Sequence, residues 1–320
     1  MQRLHAASIG HGVVGGLVAG AVVALWFFVL DVFGGEPLHT PRLLASVLLG
    51  DGSGVAGVRL IAAYTMLHFG VFAFMGAAIA GALALIGVAP GLVVGVAVAL
   101  GVLDAVYYGA LLTVGANLLT LLPGVQVLLA NLFGAMAMMM YLHRAEHAAT
   151  PLGPALLRQH RLLAQGILTG LVGAGAVALW FLFVDVLQQQ PFYTPAALGS
   201  LVLLGARGPD EVQLTLAMVA AYTVVHVVAF AEVGVLLVWA AERLEQSPGL
   251  ALLAFMAFVI LEGLFLIVAV ALGEWILGRL SWWAIGIGNL IGVAAMGRWV
   301  WQTHPRLRQQ FLERPVEVRL

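Results

Sequence analysis

Eight long apolar segments dominate the pattern of hydrophobic and polar positions along the chain. A helix needs about 20 apolar residues to cross a bilayer core about 30 Å thick. Eight runs of about this length carry few charges, and segments rich in Gly, Pro and charged residues separate them. They lie near residues 11–33, 58–86, 91–115, 122–142, 166–188, 214–241, 249–273 and 281–301. The pattern predicts an all-α integral membrane protein with eight transmembrane helices.

The two halves of the chain repeat the same motifs. The stretch 24–31, which reads Ala-Leu-Trp-Phe-Phe-Val-Leu-Asp, returns at 178–185 as Ala-Leu-Trp-Phe-Leu-Phe-Val-Asp, an offset of 154 residues. Beyond the following loop the offset is 158, at which Tyr64 and His68 match Tyr222 and His226. Such internal similarity at a fixed distance indicates a duplication. An insertion of four residues in the loop explains the change of offset.

The duplication predicts two parallel repeats of four spans, because an even number of spans returns each repeat to the same side. We expect the first repeat at 1–143, a cytoplasmic linker at 144–165, the second repeat at 166–301 and a cytoplasmic tail at 302–320. The pseudo-two-fold axis of such parallel repeats runs along the membrane normal.

A short helix is expected after the first span of each repeat. Thr40-Pro41 and Thr194-Pro195 resemble a helix N-cap followed by Pro at the first helical position. The runs that follow, 42–49 and 196–204, end at Gly50 and Gly205 and are too short to span. We expect both to be external interfacial helices that cover the bundle.

The distribution of arginine predicts the orientation, since positive residues stay on the cytoplasmic side of short loops. With eight spans both termini share a face, and that face holds Arg3, Arg144, Arg158, Arg161, Arg243, Arg298, Arg306, Arg308, Arg314 and Arg319. The other face holds only Arg42, Arg59, Arg207 and Arg279. Both termini are therefore expected in the cytoplasm.

The composition supports a lipid environment. Hydrophobic residues make up 62% of the 320 residues and charged residues 9%, against roughly 45–50% and 25% in soluble domains. There is no Cys, which excludes disulfides, thiolate metal sites and cysteine nucleophiles. No basic stripe is available to neutralise phosphates, so nucleic acid is not an expected partner. The expected partners are the lipid bilayer and, alternatively, a membrane-protein complex.

A set of matched polar residues lies near the middle of the predicted spans. Ionisable groups there cost at least about 2.5 kcal/mol, so each needs a structural or functional reason. Counting 1.5 Å per residue from the external ends of the spans places six matched polar residues roughly 12–18 Å deep. They are His68, Asp104 and Asn131 in the first repeat and His226, Glu262 and Asn289 in the second. We expect a His, carboxylate and Asn cluster in each repeat.

Four further residues belong to this candidate site. Tyr64 and Tyr222 precede the histidines by four residues and share their helix face, one turn nearer the outside. Asp31 and Asp185 are shallower, at the external mouth, where they face water or the loop helix. Polar groups also join transmembrane helices without any chemical role. Gly134 and Gly292 lie beside the two asparagines and indicate close helix packing there.

The motifs resemble those of bacterial multi-pass membrane proteins of unassigned function. The resemblance rests on Ala-Leu-Trp-Phe with a following Asp, on Thr-Pro and on Tyr-x-x-x-His, which cover the first two spans of each repeat. It implies a location in the bacterial inner membrane and carries no activity with it.

Three functions fit the sequence. The first is permeation or proton-coupled transport of a small solute or ion through the mid-membrane cluster. The second is a haem or metal site that uses His68 and His226 as ligands, with or without Asp104 and Glu262. The third is a membrane subunit or scaffold of a larger complex, since the loops are short and carry no catalytic domain. No catalytic residue is identified, and the sequence favours a protein that is not an enzyme.

Overall fold

The computed structural model is mostly helical, with no strand in its described part, and it divides into two compact units, Met1–Gln159 and His160–Leu320. The structure describes residues 2–50, 57–104, 106–107, 122, 124–146, 151–155, 157, 160–246, 275 and 282–313. The boundary between the units falls inside the segment 144–165 that the sequence predicts as a linker.

The described part of the first unit contains three long helices and two short ones. In chain order they are α1 (Gln2–Phe33), α2 (His39–Leu49), α3 (Val58–Ile86), α4 (Leu92–Ala97, continued by a π-helix at Val98–Leu103) and α5 (Gly124–Ala145). Helix α1 packs against both α3 and α5. The short α2 lies on α3, and α4 packs on α5.

The described part of the second unit contains three long helices of similar arrangement and two short ones. They are α6 (Arg161–Leu187), α7 (Tyr193–Gly199, continued by a π-helix at Ser200–Leu204), α8 (Leu216–Gln246), α9 (Trp282–Thr303) and α10 (Pro305–Glu313). Helix α6 packs against α8 and α9, and α7 lies on α8. The indole of Trp180 on α6 donates a hydrogen bond of 2.8 Å to the carbonyl of Ala284 on α9.

Within the described residues, six helices are long and apolar enough to cross a membrane: Ser8–Phe33, Val58–Ile86, Gly124–Ala145, Arg161–Leu187, Leu216–Gln246 and Trp283–Thr303. Each has at least 21 residues, which at 1.5 Å per residue matches a bilayer core of about 30 Å. They coincide with six of the eight predicted spans. Of the predicted span 91–115 the structure describes a helix over Leu92–Leu103 and then residues 104 and 106–107, and the span 249–273 lies outside the described residues.

The outward faces of these helices are apolar. Met66 and Phe74 on α3 are each 75% exposed, and Leu179 on α6 is 68% exposed. A soluble protein rarely leaves so many large apolar side chains in water. The helical, apolar architecture is therefore compatible with a polytopic membrane protein.

Glycines let the long helices cross at backbone contact. A Cβ added to Gly16 on α1 would lie 2.0 Å from the carbonyl oxygen of Phe72 on α3. A Cβ added to Gly170 on α6 would lie 2.2 Å from the carbonyl oxygen of Phe230 on α8. Both glycines belong to small-xxx-small patterns of the kind that bring transmembrane helices together.

The short helices α2 and α7 begin earlier than the sequence predicts. Helix α2 starts at His39 and α7 at Tyr193, so Thr40 and Thr194 lie inside their helices and the predicted N-cap role of the threonines is wrong. The N-cap positions belong to Leu38 and Phe192, in left-handed conformation with φ of 68° and 66°. Neither N-cap side chain can accept a hydrogen bond from the free N–H groups. The acceptor is instead a carboxylate of the preceding long helix, Asp31 for α2 and Asp185 for α7.

The π-helix of α7 accommodates one additional residue. The N-caps Leu38 and Phe192 are 154 positions apart, whereas the C-caps Gly50 and Gly205 are 155 apart. A single residue inserted into a helix is commonly absorbed as a π-turn. The offset between the two halves changes by four residues in all, from 154 to 158. The other three residues therefore lie between the end of the short helix α7 and the start of α8.

Candidate functional site

Asp31 and Asp185 bind the short helices. The backbone N–H of Thr40 donates to Asp31 Oδ2 at 2.8 Å, and its hydroxyl donates to Asp31 Oδ1 at 2.7 Å. Thr194 donates to Asp185 in the same way, at 2.8 Å and 2.6 Å. Both carboxylates are buried, 8% and 1% exposed. Of the two environments expected for them, water or the loop helix, the structure gives the loop helix, whose free N–H groups and positive dipole end favour an anion.

His68 and His226 are tied to the backbone of the first helix of their own unit. The Nε2 of His68 lies 3.0 Å from the carbonyl oxygen of Gly20, and that of His226 lies 3.2 Å from the carbonyl oxygen of Ala174. A carbonyl oxygen only accepts, so Nε2 must carry the proton in both rings. In the neutral imidazole this leaves Nδ1 as the acceptor nitrogen.

Aromatic rings surround each histidine. The ring of His68 lies 4.8 Å from that of Phe72 and 6.0 Å from that of Tyr64, measured between centroids. In the second unit the His226 ring lies 4.7 Å from Phe230 and 5.8 Å from Tyr222. The tyrosine thus lies one turn from the histidine on the same helix face, where the sequence spacing puts it.

Asp104 and Asn131 are joined by a hydrogen bond. The Nδ2 of Asn131 on α5 donates to Oδ1 of Asp104 at 2.6 Å, and both residues are buried, 5% and 7% exposed respectively. Asp104 directly follows the π-helix Val98–Leu103. Gly134, one turn beyond Asn131, allows α5 to approach α1, because a Cβ there would lie 3.0 Å from Cγ2 of Val23.

A cavity of about 690 Å³ lies inside the first unit and brings several of these residues to one space. Its polar lining residues are Thr40, Tyr64, Thr65, His68, Tyr107 and Asn131. Aliphatic and aromatic side chains from α1, α2 and α3, together with Leu103, Val106, Leu122 and Val127, form most of the rest of its wall. Its size lies within the range of about 300–1,000 Å³ typical of small-molecule sites.

The predicted cluster of His68, Asp104 and Asn131 is therefore organised in two parts. The amide of Asn131 holds the carboxylate of Asp104, while the His68 ring is bound to the neighbouring helix across the same cavity. In the second unit Asn289 lies half-buried on α9, and Glu262 lies outside the described residues. The counterpart cluster in that unit stays a prediction.

Tyr107 is a polar residue of the site that the sequence analysis did not single out. Its side chain lines the cavity, and its hydroxyl donates to the carbonyl of Leu122 at 3.1 Å. Its spacing of three from Asp104 is a helical signal for a shared face. The position matched to it at the offset of 158 is Phe265, so a comparison of the two halves gives no polar pair there.

The bonding of the histidine rings leaves one ring nitrogen of each histidine for a ligand, and the haem or metal alternative stays a prediction. Metal-binding histidines commonly donate from one ring nitrogen to a carbonyl or carboxylate and ligate with the other. Here Nδ1 of His68 is the nitrogen left for a ligand, and within the described residues no group of three His, Asp or Glu side chains is arranged to hold a metal ion. Glu262, part of one version of that hypothesis, lies outside the described residues.

The fold and the site are those of a helical, multi-span protein suited to a lipid environment, with a partly polar cavity in its first unit. Searches against protein-family models, curated proteins and solved structures found no match to the chain.

Proposed function

We propose that the chain is an internally duplicated protein of the bacterial inner membrane, with eight spans and both termini in the cytoplasm. Contacts that recur between matched residues support the duplication. The Asp31–Thr40 pair, the His68–Gly20 bond and the crossing at Gly16 each have a counterpart in the second unit, at Asp185–Thr194, His226–Ala174 and Gly170. The ten-to-four distribution of arginine supports the orientation.

We infer further that the protein provides a proton-conducting or proton-coupled pathway for a small solute or ion. The observation that carries this proposal is the cavity of the first unit, whose wall includes Asn131 in direct contact with the buried carboxyl group of Asp104. A buried ionisable group inside a membrane bundle is typical of proton relays and ion pathways.

The surroundings of Asp104 favour an exchangeable proton. No Arg or Lys occurs in the sequence between Arg59 and Arg144, a stretch that includes Asp104 and every residue near it in sequence. Within the described residues its side-chain hydrogen bond comes from the neutral amide of Asn131. A carboxylate in such a place is costly unless a proton or a mobile cation neutralises it. Exchange between those two partners is the chemical step that couples a proton to a solute.

The test measures proton flux into proteoliposomes. Purified protein is reconstituted with a pH-sensitive dye inside, and a potassium gradient with valinomycin imposes a membrane potential. We expect proton entry above that of protein-free vesicles, a reduced rate in Asp104→Asn and in Glu262→Gln, and the protein-free rate in the double variant. Each substitution replaces a carboxyl group by an amide of nearly the same size that does not ionise.

Asp210→Asn is the matched control. Asp210 lies exposed in the 3-10 turn Pro209–Glu211 of the second unit and belongs to no predicted span, so its amide variant should conduct like the wild type. Flux that is the same in wild type, in the double variant and in protein-free vesicles would contradict the proposed function. That result, together with recovery of a stable complex in mild detergent, would favour the alternative of a membrane subunit or scaffold.

A further inference from the structure

The lining of the cavity in the first unit identifies the class of solute that it fits. Six aromatic side chains contribute to its wall: Phe27, Phe28, Tyr64, Phe69, Phe72 and Tyr107. Most of the remaining wall is aliphatic. A strongly hydrated ion would lose its water there without replacement, whereas a large apolar surface would be well accommodated.

The charges near the cavity set the sign of the solute. Asp104 is hydrogen-bonded to Asn131, which is a residue of the cavity wall. The stretch from residue 60 to residue 143 contains no Arg or Lys and no second acidic residue. No Arg or Lys belongs to the cavity wall, so an anion would meet the carboxylate without a positive side chain in the wall, whereas a cation would compensate that carboxylate and lie against the faces of aromatic rings.

The cavity is open to the lipid-facing side of the unit. Leu25 on α1 and Leu67 on α3 both line it, and they are 60% and 44% exposed. It extends along α3 from Tyr64 to Met75, about 16 Å at 1.5 Å per residue. A molecule dissolved in the bilayer therefore has a route to the cavity that avoids water.

We propose that this cavity binds lipophilic monocations, such as aromatic phosphonium or quaternary ammonium ions, in exchange for a proton on Asp104. The inference rests on the proposed function and names its substrate class. One positive charge enters as one proton leaves the carboxyl group, so the net charge of the site is unchanged. The π-helix before Asp104 agrees with this assignment, since π-turns inside helices frequently occur at functional sites.

The test measures binding of tetraphenylphosphonium to the purified full-length protein in detergent by calorimetry. We expect saturable binding to the wild type and affinity at least about tenfold lower in Asp104→Asn, a factor that corresponds to about 1.4 kcal/mol. Triphenylphosphine oxide, which is neutral and carries three of the same phenyl groups on phosphorus, should bind the wild type and Asp104→Asn alike. Val71→Phe fills part of the cavity, leaves Asp104 intact and should also weaken phosphonium binding.

The proton exchange has its own readout. Lowering the pH should weaken phosphonium binding to the wild type, because protons compete for Asp104. The other titratable groups that face the cavity are Tyr64 and His68 on α3 and Tyr107 beside Asp104, while Asp31 on α1 is bound to Thr40 at its outer end. His68→Gln should therefore keep the pH dependence, and Asp104→Asn should lose it.

Two results would overturn the inference: equal phosphonium affinity in wild type and Asp104→Asn, or equal affinity of the wild type for the cation and the neutral oxide. If Asp104 supports proton flux while phosphonium does not bind, the substrate class is wrong and the proposed function stands. If phosphonium binds as expected and no proton flux is found, the binding site stands and the proposed function fails.

Discussion

Removal of the Asp185 carboxylate should release the short helix α7 from the end of α6. The carboxylate is 1% exposed and accepts two hydrogen bonds, from the backbone N–H and the hydroxyl of Thr194. A hydrogen bond to a charged group contributes about 1.5–3 kcal/mol, and a buried N–H that loses its partner costs about 1–3 kcal/mol. These contributions overlap, so for Asp185→Ala we expect the free energy of unfolding to fall by about 2–4 kcal/mol.

The assay is reversible unfolding in mixed micelles titrated with sodium dodecyl sulfate, followed by circular dichroism. Thr194→Val removes the hydroxyl bond and keeps the backbone bond, so it should lower the free energy of unfolding by only about 1–2 kcal/mol. Thr194→Ser keeps both donors and should lie close to wild type. Asp210→Ala, at an exposed position, should change the stability by no more than about 0.5 kcal/mol.

A result for Asp185→Ala within the range of the Asp210→Ala control would refute the reasoning. It would mean that the two bonds to Thr194 contribute nothing net to the fold. Asp31→Ala in the first unit provides an independent repeat of the same test, since its geometry is the same and its burial is nearly as complete.

Two further predictions concern helix packing and the buried pair. Gly170→Ala should destabilise the protein by about 1–3 kcal/mol in the same unfolding assay, because its Cβ would meet the backbone of α8, whereas Gly175→Ala on the same helix has nothing within 4 Å and should be neutral or slightly stabilising. Equal effects of the two glycine variants would contradict the close crossing. A double-mutant cycle of Asp104→Ala and Asn131→Ala should give a coupling energy of at least about 1 kcal/mol, and additive single effects would contradict the hydrogen bond between them.

The fold was largely accessible from the sequence because bilayer thickness imposes a length on each apolar run. Six predicted spans coincide with helices, and the boundaries differ by a few residues where Arg161 or Ala145 extends a helix beyond the apolar core. The start of the short helices was not accessible. It depends on Leu38 and Phe192 in a left-handed conformation, which Leu and Phe seldom adopt and which no local pattern signals.

The candidate site likewise has features that the sequence predicts and features that it does not. Counting residues from the span ends predicts the depth of His68, Asp104 and Asn131, but depth does not fix the rotation of each helix about its own axis. The partner of His68 is a backbone carbonyl, and every residue carries one, so that bond has no signature in the sequence. The side-chain pair of Asp104 and Asn131 does have a signature in the sequence, because both halves of the chain place a carboxylate and an amide at the same offset.

The bonds between Asp31 and Thr40 and between Asp185 and Thr194 also divide the connection between the first two long helices of each unit into two parts, one of fixed length and one of variable length. Nine positions separate the partners in both units, so a residue added or deleted between them would pull both donors away from the carboxylate. Between the first two long helices of each unit, the two connections differ in length only after this point, within the π-turn of α7 and in the segment that leads to α8. An epitope tag or a fluorescent label should therefore be accepted in the segment 206–215, where natural lengths already differ, and rejected in the segment 32–38.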